Sequence, residues 1–471
     1  MLFTHSLHYF LMKGAAGLVG LFTIIIFTRL LSPNDYGIYA ILLSGISICH
    51  AIFFYWLSLS LGRFYVREKA QLGQLISTIG YGFFLASLVS LLVWGLGVLF
   101  FQDISWLKWL FFLPPLVISY SWFELNLRIA NVNIDPSMYG YISFAKASLG
   151  LLIGSLLYFY FGLNGLFSGI ILSAFVAPLF WMRGTWKMLH INLIDYKVFK
   201  RFLSYGLPLA ITISLTLVVD SSDRFLIAAM IGEEQAGLYS ASYHLVVQTM
   251  GFVAAAIYLA AFPMLVRDIE TKNSGNIKLG LSQYVILLIA VIVPLLVFFI
   301  ALSGNISIAV FGKPFRDSAT LLMPIIAFGI FASIFKIYFF DLIFQLNHKT
   351  LIQIWPALLT ALVNIILNVF WIPRYGPMGA AYATLVAFLI GLVVSGIMAN
   401  RILVMSHPRT DILKVFCAGC AMYLLLLTLE SLSGFFALAL QLIAGLAMYL
   451  VLIIILNVGG ITPWLRLHLS K

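Results

Sequence analysis

Thr212, Thr216, Asp220 and Arg224 recur every four residues, with Asp223 beside them, so any helix carrying them presents two hydroxyls, two carboxylates and a guanidinium on one side. Ser240, His244 and Gln248 repeat that spacing further along the chain, and Thr360, Asn364 and Asn368 repeat it again after Pro356. A further arginine, Arg29, ends a long apolar run in FTRLLSPNDYGIYA, residues 27–40. The chemistry available is recognition of charge and exchange of ions. A guanidinium forks onto phosphate or carboxylate oxygens, a carboxylate takes a cation or a proton, and amides and hydroxyls stand in for water around a polar ligand. Each set also has a plainer reading: Asp220 and Arg224 neutralise one another, the asparagines bond neighbouring helices, and Arg29 reaches to a membrane interface. Two acids beside one base cannot all pair off, so Asp220 and Asp223 are the candidates for ion coupling. Arg29, Arg224, Thr212, Thr216, Ser240, His244, Gln248, Asn364 and Asn368 are the candidates for a ligand cavity or its gate.

The elements that position them lie in a membrane. The chain is 63% hydrophobic and 9% charged, its mean hydropathy is +1.08, and an ordinary soluble domain carries about 25% charged residues. Apolar stretches long enough to cross a bilayer of roughly 30 Å lie near 10–31, 37–61, 75–100, 106–127, 139–161, 165–182, 205–231, 237–262, 279–303, 318–341, 351–373, 377–400, 411–430 and 435–458, which predicts about 14 transmembrane helices. Continuous runs of this length suit helices, which satisfy their own backbone, rather than alternating barrel strands. The fold class is therefore an all-α integral membrane protein. The first run lacks a basic region ahead of it and is long enough to span, so it reads as a retained helix and not a cleaved signal peptide.

Charge then sets orientation. With the N-terminus inside, 21 of the 27 basic residues fall on the inner side and 6, Arg29 and Arg224 among them, on the outer. An excess of this kind puts both termini in the cytoplasm and accounts for a net charge of +11 without a nucleic-acid partner. Cys417 and Cys420 in CAGC stand one turn apart with no His or Cys nearby, which favours packing over a metal or redox site. Glu124 and Arg128, four apart, read as a neutralising pair, and Glu124 and Asp341 as residues close to the inner surface.

The chain repeats itself. RLLSPNDYGIYA after the first run matches RFLIAAMIGEEQAGLYSA after the seventh, with Gly37 and Gly237 in register, and FGLNGLF matches YGPMGAA, pairing Gly162 with Gly376 and Gly165 with Gly379. Two matches at similar offsets predict two lobes of six helices in parallel repeat, residues 1–186 and 187–402, followed by an extra C-terminal helix pair in 403–471. An even number of helices per lobe makes both enter from the same side, the arrangement of transporters that rock two halves about a central site.

FTRLLSPNDYGIYA and SSDRFLIAAMIGEEQAGLYSASY resemble the polysaccharide transporter family, the Wzx-type O-antigen flippases, in a superfamily that also includes the MurJ and MATE transporters. The resemblance implies movement of an undecaprenyl-diphosphate-linked oligosaccharide from the cytoplasmic to the periplasmic leaflet of the bacterial inner membrane by alternating access. It implies membrane lipids and a polysaccharide polymerase with its chain-length machinery as partners. No catalytic residue, metal or cofactor is expected, and without a nucleotide-binding motif an ion gradient or the membrane potential is the energy source. Two alternatives stand beside this reading. A polymerase or ligase would need a sizeable outer catalytic loop, and no outer connection is long enough. A cation-coupled multidrug exporter would favour an acidic cavity, whereas both signs of charge occur here.

Overall fold

The computed structural model describes residues 2–460 apart from 69–70, 101–104, 134, 271–273, 348, 404–407 and 433. Helices and short turns make up the described chain, with no strand among them. In order they are α1 (Leu2–Leu30), α2 (Pro33–Phe53), α3 (Tyr55–Glu68), α4 (Leu72–Phe100), α5 (Leu113–Val132), α6 (Pro136–Trp186), α7 (Tyr196–Ile231), α8 (Glu233–Val246), α9 (Phe252–Glu270), α10 (Ser274–Ala301), α11 (Ser303–Val310), α12 (Arg316–Phe335), α13 (Asp341–Leu346), α14 (Ile354–Tyr375), α15 (Pro377–Ile402), α16 (Arg409–Thr428) and α17 (Phe435–Ile455). Among the described residues eleven helices are long and apolar enough to cross a membrane. One of them, α6, has 51 residues, about twice what a bilayer needs at 1.5 Å per residue, and folds back on itself. With α1 and the 36-residue α7, the helices come close to the fourteen crossings expected. The protein is a multi-pass membrane protein.

The fold-back in α6 turns on Gly162, at φ 59° and ψ −142°. In the second half of the chain, Gly376 between α14 and α15 sits at φ 60° and ψ −141°. These are backbone conformations that a Cβ disfavours. Three residues after each turn comes a second glycine at a close crossing. A Cβ on Gly165 would lie 2.0 Å from the Leu157 carbonyl oxygen, and one on Gly379 would lie 2.3 Å from that of Trp371. Each carbonyl is eight residues before its glycine, so the sequence pairs Gly162/Gly376 and Gly165/Gly379 build the same hairpin twice.

The chain forms two compact units, Met1–Phe225 and Leu226–Lys471. The break falls inside α7 and not in the connection ahead of it, where the sequence repeat divides the lobes. The reason is visible in the packing of α7 on α3: the Ser60 hydroxyl donates to the Phe202 carbonyl at 2.8 Å, and the Trp56 ring meets Phe199 at 5.9 Å. In the first unit α5 is gripped from both sides, with His50 of α2 bonded to Ser121 and Trp122 packed on Trp186 at 4.7 Å. In the second unit α12 is the central helix, its Leu322, Met323, Ile326 and Ala327 all buried. The C-terminal pair is held together, and joined to α10, by polar side chains that find backbone partners. Gln441, fully buried, donates to the Leu429 and Leu432 carbonyls at 2.7 and 3.2 Å, and the Tyr449 hydroxyl donates to Ala290 O at 2.8 Å. Cys417 and Cys420 are free and exposed on α16, so their expected role in interior packing does not hold: the spacing of three puts both on the outward side of the helix.

Replacing Gly376 by alanine forces an L side chain into the glycine-only turn and should cost about 1–3 kcal/mol. Thermal unfolding in detergent should show a lower midpoint for Gly376→Ala and for Gly162→Ala. Gly184→Ala, where an added Cβ meets nothing within 4 Å, should unfold like the parent.

Candidate functional site

The turn between α1 and α2 is set by its own sequence. Ser32 caps α2 by accepting the Asp35 amide at 3.1 Å, and Pro33 occupies the first helical turn, where its missing N–H costs nothing. Arg29 stands exposed in the last turn of α1. Asp35 accepts the Tyr158 hydroxyl at 2.7 Å, which ties α2 to the first half of α6. Arg224 lies elsewhere in this unit, buried to 8% exposure, with Nη1 donating to Ser44 Oγ of α2 at 3.3 Å and its charge within reach of Tyr36. Asp223 beside it is 4% exposed. The repeat makes Arg29 and Arg224 counterparts on two lobes, but the packing makes them unlike. Arg29 is an exposed residue, and Arg224 turns inward onto α2 of the same compact unit. Thr212, Thr216 and Asp220 fall on α7, with side chains outside the described residues.

The second unit gathers most of the other candidates. Asn364 Nδ2 on α14 donates to Thr384 Oγ1 on α15 at 3.1 Å, and Asn368 Nδ2 donates to Asn364 Oδ1 at 3.0 Å. The Tyr239 hydroxyl on α8 lies 3.5 Å from the same threonine hydroxyl. Asn364, Asn368 and Thr384 are 4%, 0% and 5% exposed, and Ser240, next to Tyr239, is 0% exposed. This is a buried polar node in which three helices meet. His244 and Gln248 continue along α8 into a π-turn at Val247–Gly251 and are half-buried. The sequence marked Asn364, Asn368 and Ser240, but not Thr384, which meets Asn364 from the next helix, nor Tyr239, which lies beside Ser240 but 145 residues from the threonine it approaches.

Two charged clusters escaped the sequence reading. Lys336 Nζ pairs with Asp341 Oδ2 at 2.7 Å, both residues being 7% and 6% exposed. Ser395 of α15 donates to the other carboxylate oxygen at 3.0 Å, and Gln353 donates to the Asp341 carbonyl at 3.0 Å. Asp341, expected close to the inner surface, forms a buried ion pair inside the unit. The pair is five residues apart, a spacing that diverges on an α-helix. It closes because Lys336–Phe340 is a π-turn, whose i to i+5 bonding brings those two positions together. In the first unit Lys146 Nζ lies 5.7 Å above the Tyr120 ring and 5.3 Å above that of Phe123. Tyr120 also hydrogen-bonds Glu124, which attracts the Lys146 charge. Arg128, expected to neutralise Glu124, donates Nε to the Ser58 carbonyl at 3.0 Å. His50 completes the edge of this nest, with Nδ1 2.9 Å from Ser121 Oγ and its ring edge-on to Tyr120 at 5.2 Å. No group of three or more metal-ligating side chains occurs among the described residues.

A family model described as polysaccharide biosynthesis protein matches residues 26–320. A Shigella flexneri protein named as an O-antigen transporter is 22% identical over 193 residues, covering 40% of this chain and 43% of its own length. A membrane protein of Methanocaldococcus jannaschii is 27% identical over 253 residues, 50% of this chain and 58% of that one. The chain thus spans about half the length of the curated relatives it matches. In three dimensions it is similar to the lipid II flippase MurJ in an inward closed conformation, with a TM-score of 0.78 at 16% identity over 95% of this chain and 98% of that one. It is also similar to an inward-facing MATE family multidrug resistance transporter of the MOP superfamily, with a TM-score of 0.62 at 12% identity over 83% and 93%. At these identities the likeness is one of fold.

The buried pair makes a prediction of its own. Lys336→Met or Asp341→Asn alone strands a charge in an apolar interior and should destabilise the protein by about 3–5 kcal/mol. The double variant Lys336→Met/Asp341→Leu removes both charges and should recover most of that loss in thermal unfolding. Equal damage from the single and double changes would show that the two side chains act separately.

Proposed function

Because the chain belongs to the polysaccharide biosynthesis protein family, we propose that it is a flippase that carries an undecaprenyl-diphosphate-linked oligosaccharide across the bacterial inner membrane by alternating access, with both termini in the cytoplasm. The observation that carries the reading is the conjunction of that family match with a lipid-flippase fold along nearly the whole chain. Such a cargo has a long apolar tail, which stays in the bilayer, and a sugar-diphosphate headgroup, which needs a wet cationic path. Arg224, with Ser44 beside it, and exposed Arg29 supply guanidinium groups suited to phosphate oxygens. Thr212, Thr216, Ser240, His244, Gln248, Asn364 and Asn368 are the polar side chains proposed to face the headgroup or its gate.

The chain's role is transport rather than catalysis, with no cofactor and with ion flow or the membrane potential as its source of energy. A unit charge moved across the membrane is worth about 2.3 kcal/mol per 100 mV. Asp220 and Asp223 are the proposed coupling carboxylates. A polymerase and its chain-length machinery are the proposed partners downstream. The MATE-like fold supports a cation-coupled exporter as a second reading.

Proteoliposomes loaded with an undecaprenyl-diphosphate oligosaccharide test both readings at once. The parent protein should expose the labelled headgroup to an external lectin faster than protein-free vesicles. Arg29→Gln/Arg224→Gln should weaken headgroup binding by roughly ten- to a hundredfold, the loss of charge-assisted bonds worth about 1.5–3 kcal/mol. Asp220→Asn/Asp223→Asn should abolish the response to an imposed gradient while leaving binding intact. Gradient-driven export of cationic dyes with no movement of the lipid would establish the second reading.

A further inference from the structure

Between α6 and α7 the chain runs through residues 187–195 as a rigid shelf and not as a loose tether. Its first half is held by the His190 amide, which donates to Ser77 Oγ of α4 at 2.9 Å. Its second half is held by the Asp195 amide, which donates to Thr78 Oγ1 at 3.1 Å. Leu189 and Leu193 rest on Gly80 and Gly73 of the same helix. Asp195 is the one acid between residues 183 and 201, and its carboxylate is committed. One oxygen accepts Gln74 Nε2 at 2.6 Å, and the other accepts the Lys197 and Val198 amides at 2.7 and 3.2 Å, capping α7.

What the shelf presents outward is apolar and basic together. Ile191 is 78% exposed and Tyr196 65%, with Leu189 and Leu193 exposed as well. Arg183, Lys187, Lys197 and Lys200 stand exposed around them, with no acidic side chain left to balance them within the segment. Held by α4, the apolar side chains cannot retreat into the protein. Water is a poor surrounding for such a group, whereas the boundary between headgroups and acyl chains accepts the apolar side chains below and the cations above. Tyr196, stacked edge-on with Tyr81 at 5.8 Å, has the amphipathic ring that favours this depth.

We propose that this shelf is a binding surface for anionic glycerophospholipid headgroups of the adjoining leaflet, seated by Leu189, Ile191 and Leu193 and selected by Lys187, Lys197 and Lys200. It belongs to the first compact unit alone and does not depend on the cargo that the protein moves.

The test uses the full chain with its three cysteines replaced, a spin label on Asn192→Cys, and nanodiscs of phosphatidylcholine with or without phosphatidylglycerol. Oxygen should relax the label more than an aqueous nickel chelate in both, and more deeply with phosphatidylglycerol present. Native mass spectrometry should find phosphatidylglycerol retained over phosphatidylcholine. Lys187→Gln/Lys197→Gln/Lys200→Gln should lower that preference by roughly tenfold or more, since each cation near an anionic surface contributes about fivefold. Ile191→Ser should make the label shallower in both lipids. A label open to the chelate in both nanodiscs would overturn the proposal, as would phosphatidylglycerol retention unchanged by the lysine substitutions. Protection of the label only after another membrane protein is added would overturn it in favour of a protein interface.

Discussion

A hydrocarbon surrounding gives a polar group nowhere to go, and most of what is specific in this structure follows from that. Backbone polarity is absorbed by helices. Where a helix must stop and reverse inside a crossing pair, the chain does so in a single glycine, at Gly162 and again at Gly376, so that few amides and carbonyls are released. Side-chain polarity is absorbed by pairing across helices. Gln441 takes the carbonyls at the end of α16, Asn364 and Thr384 join α14 to α15, and Ser395 reaches Asp341 from α15. These bonds tie a helix to the next one or to one a little further along the chain, and thereby fix how the neighbours meet.

How a residue is satisfied separates structural polarity from the polarity of a working surface. Lys336 and Asp341 close on one another, and the remaining carboxylate oxygen is filled by a hydroxyl, which is the arrangement of a pair built to stay. Lys146 rests above two aromatic rings with Glu124 close by, so its charge is shared among partners that each hold it weakly. Arg29 is exposed. The first arrangement fixes its charge between two specific partners, and the second spreads it over several.

Much of the architecture was legible in the sequence because hydrophobic length and glycine position speak locally. The run lengths gave a helical membrane protein, and the glycine pairs at residues 162 and 376 marked two hairpins that proved alike to within a degree in each backbone angle. The polar stripe on α14 was legible for the same reason, since Asn364 and Asn368 share a helix face. What the sequence withheld depends on departures from regular geometry or on tertiary contact. Lys336 and Asp341 look unrelated on an ideal α-helix, and Thr384 gains its meaning only from a neighbour twenty residues earlier. The inward turn of Arg224 follows from Ser44 and Tyr36, which no spacing rule connects to it.

The π-turn at Lys336–Phe340 has a further consequence for the length of the helix. A π-turn accommodates one more residue than the α path between the same two ends, so the helix before it and the helix after it keep their packing while the chain is one residue longer. Here the wider turn brings a carboxylate under an ammonium group five positions away. An uninterrupted α-helix would hold those two residues on different faces, so the extra residue in the turn is what lets the charges meet.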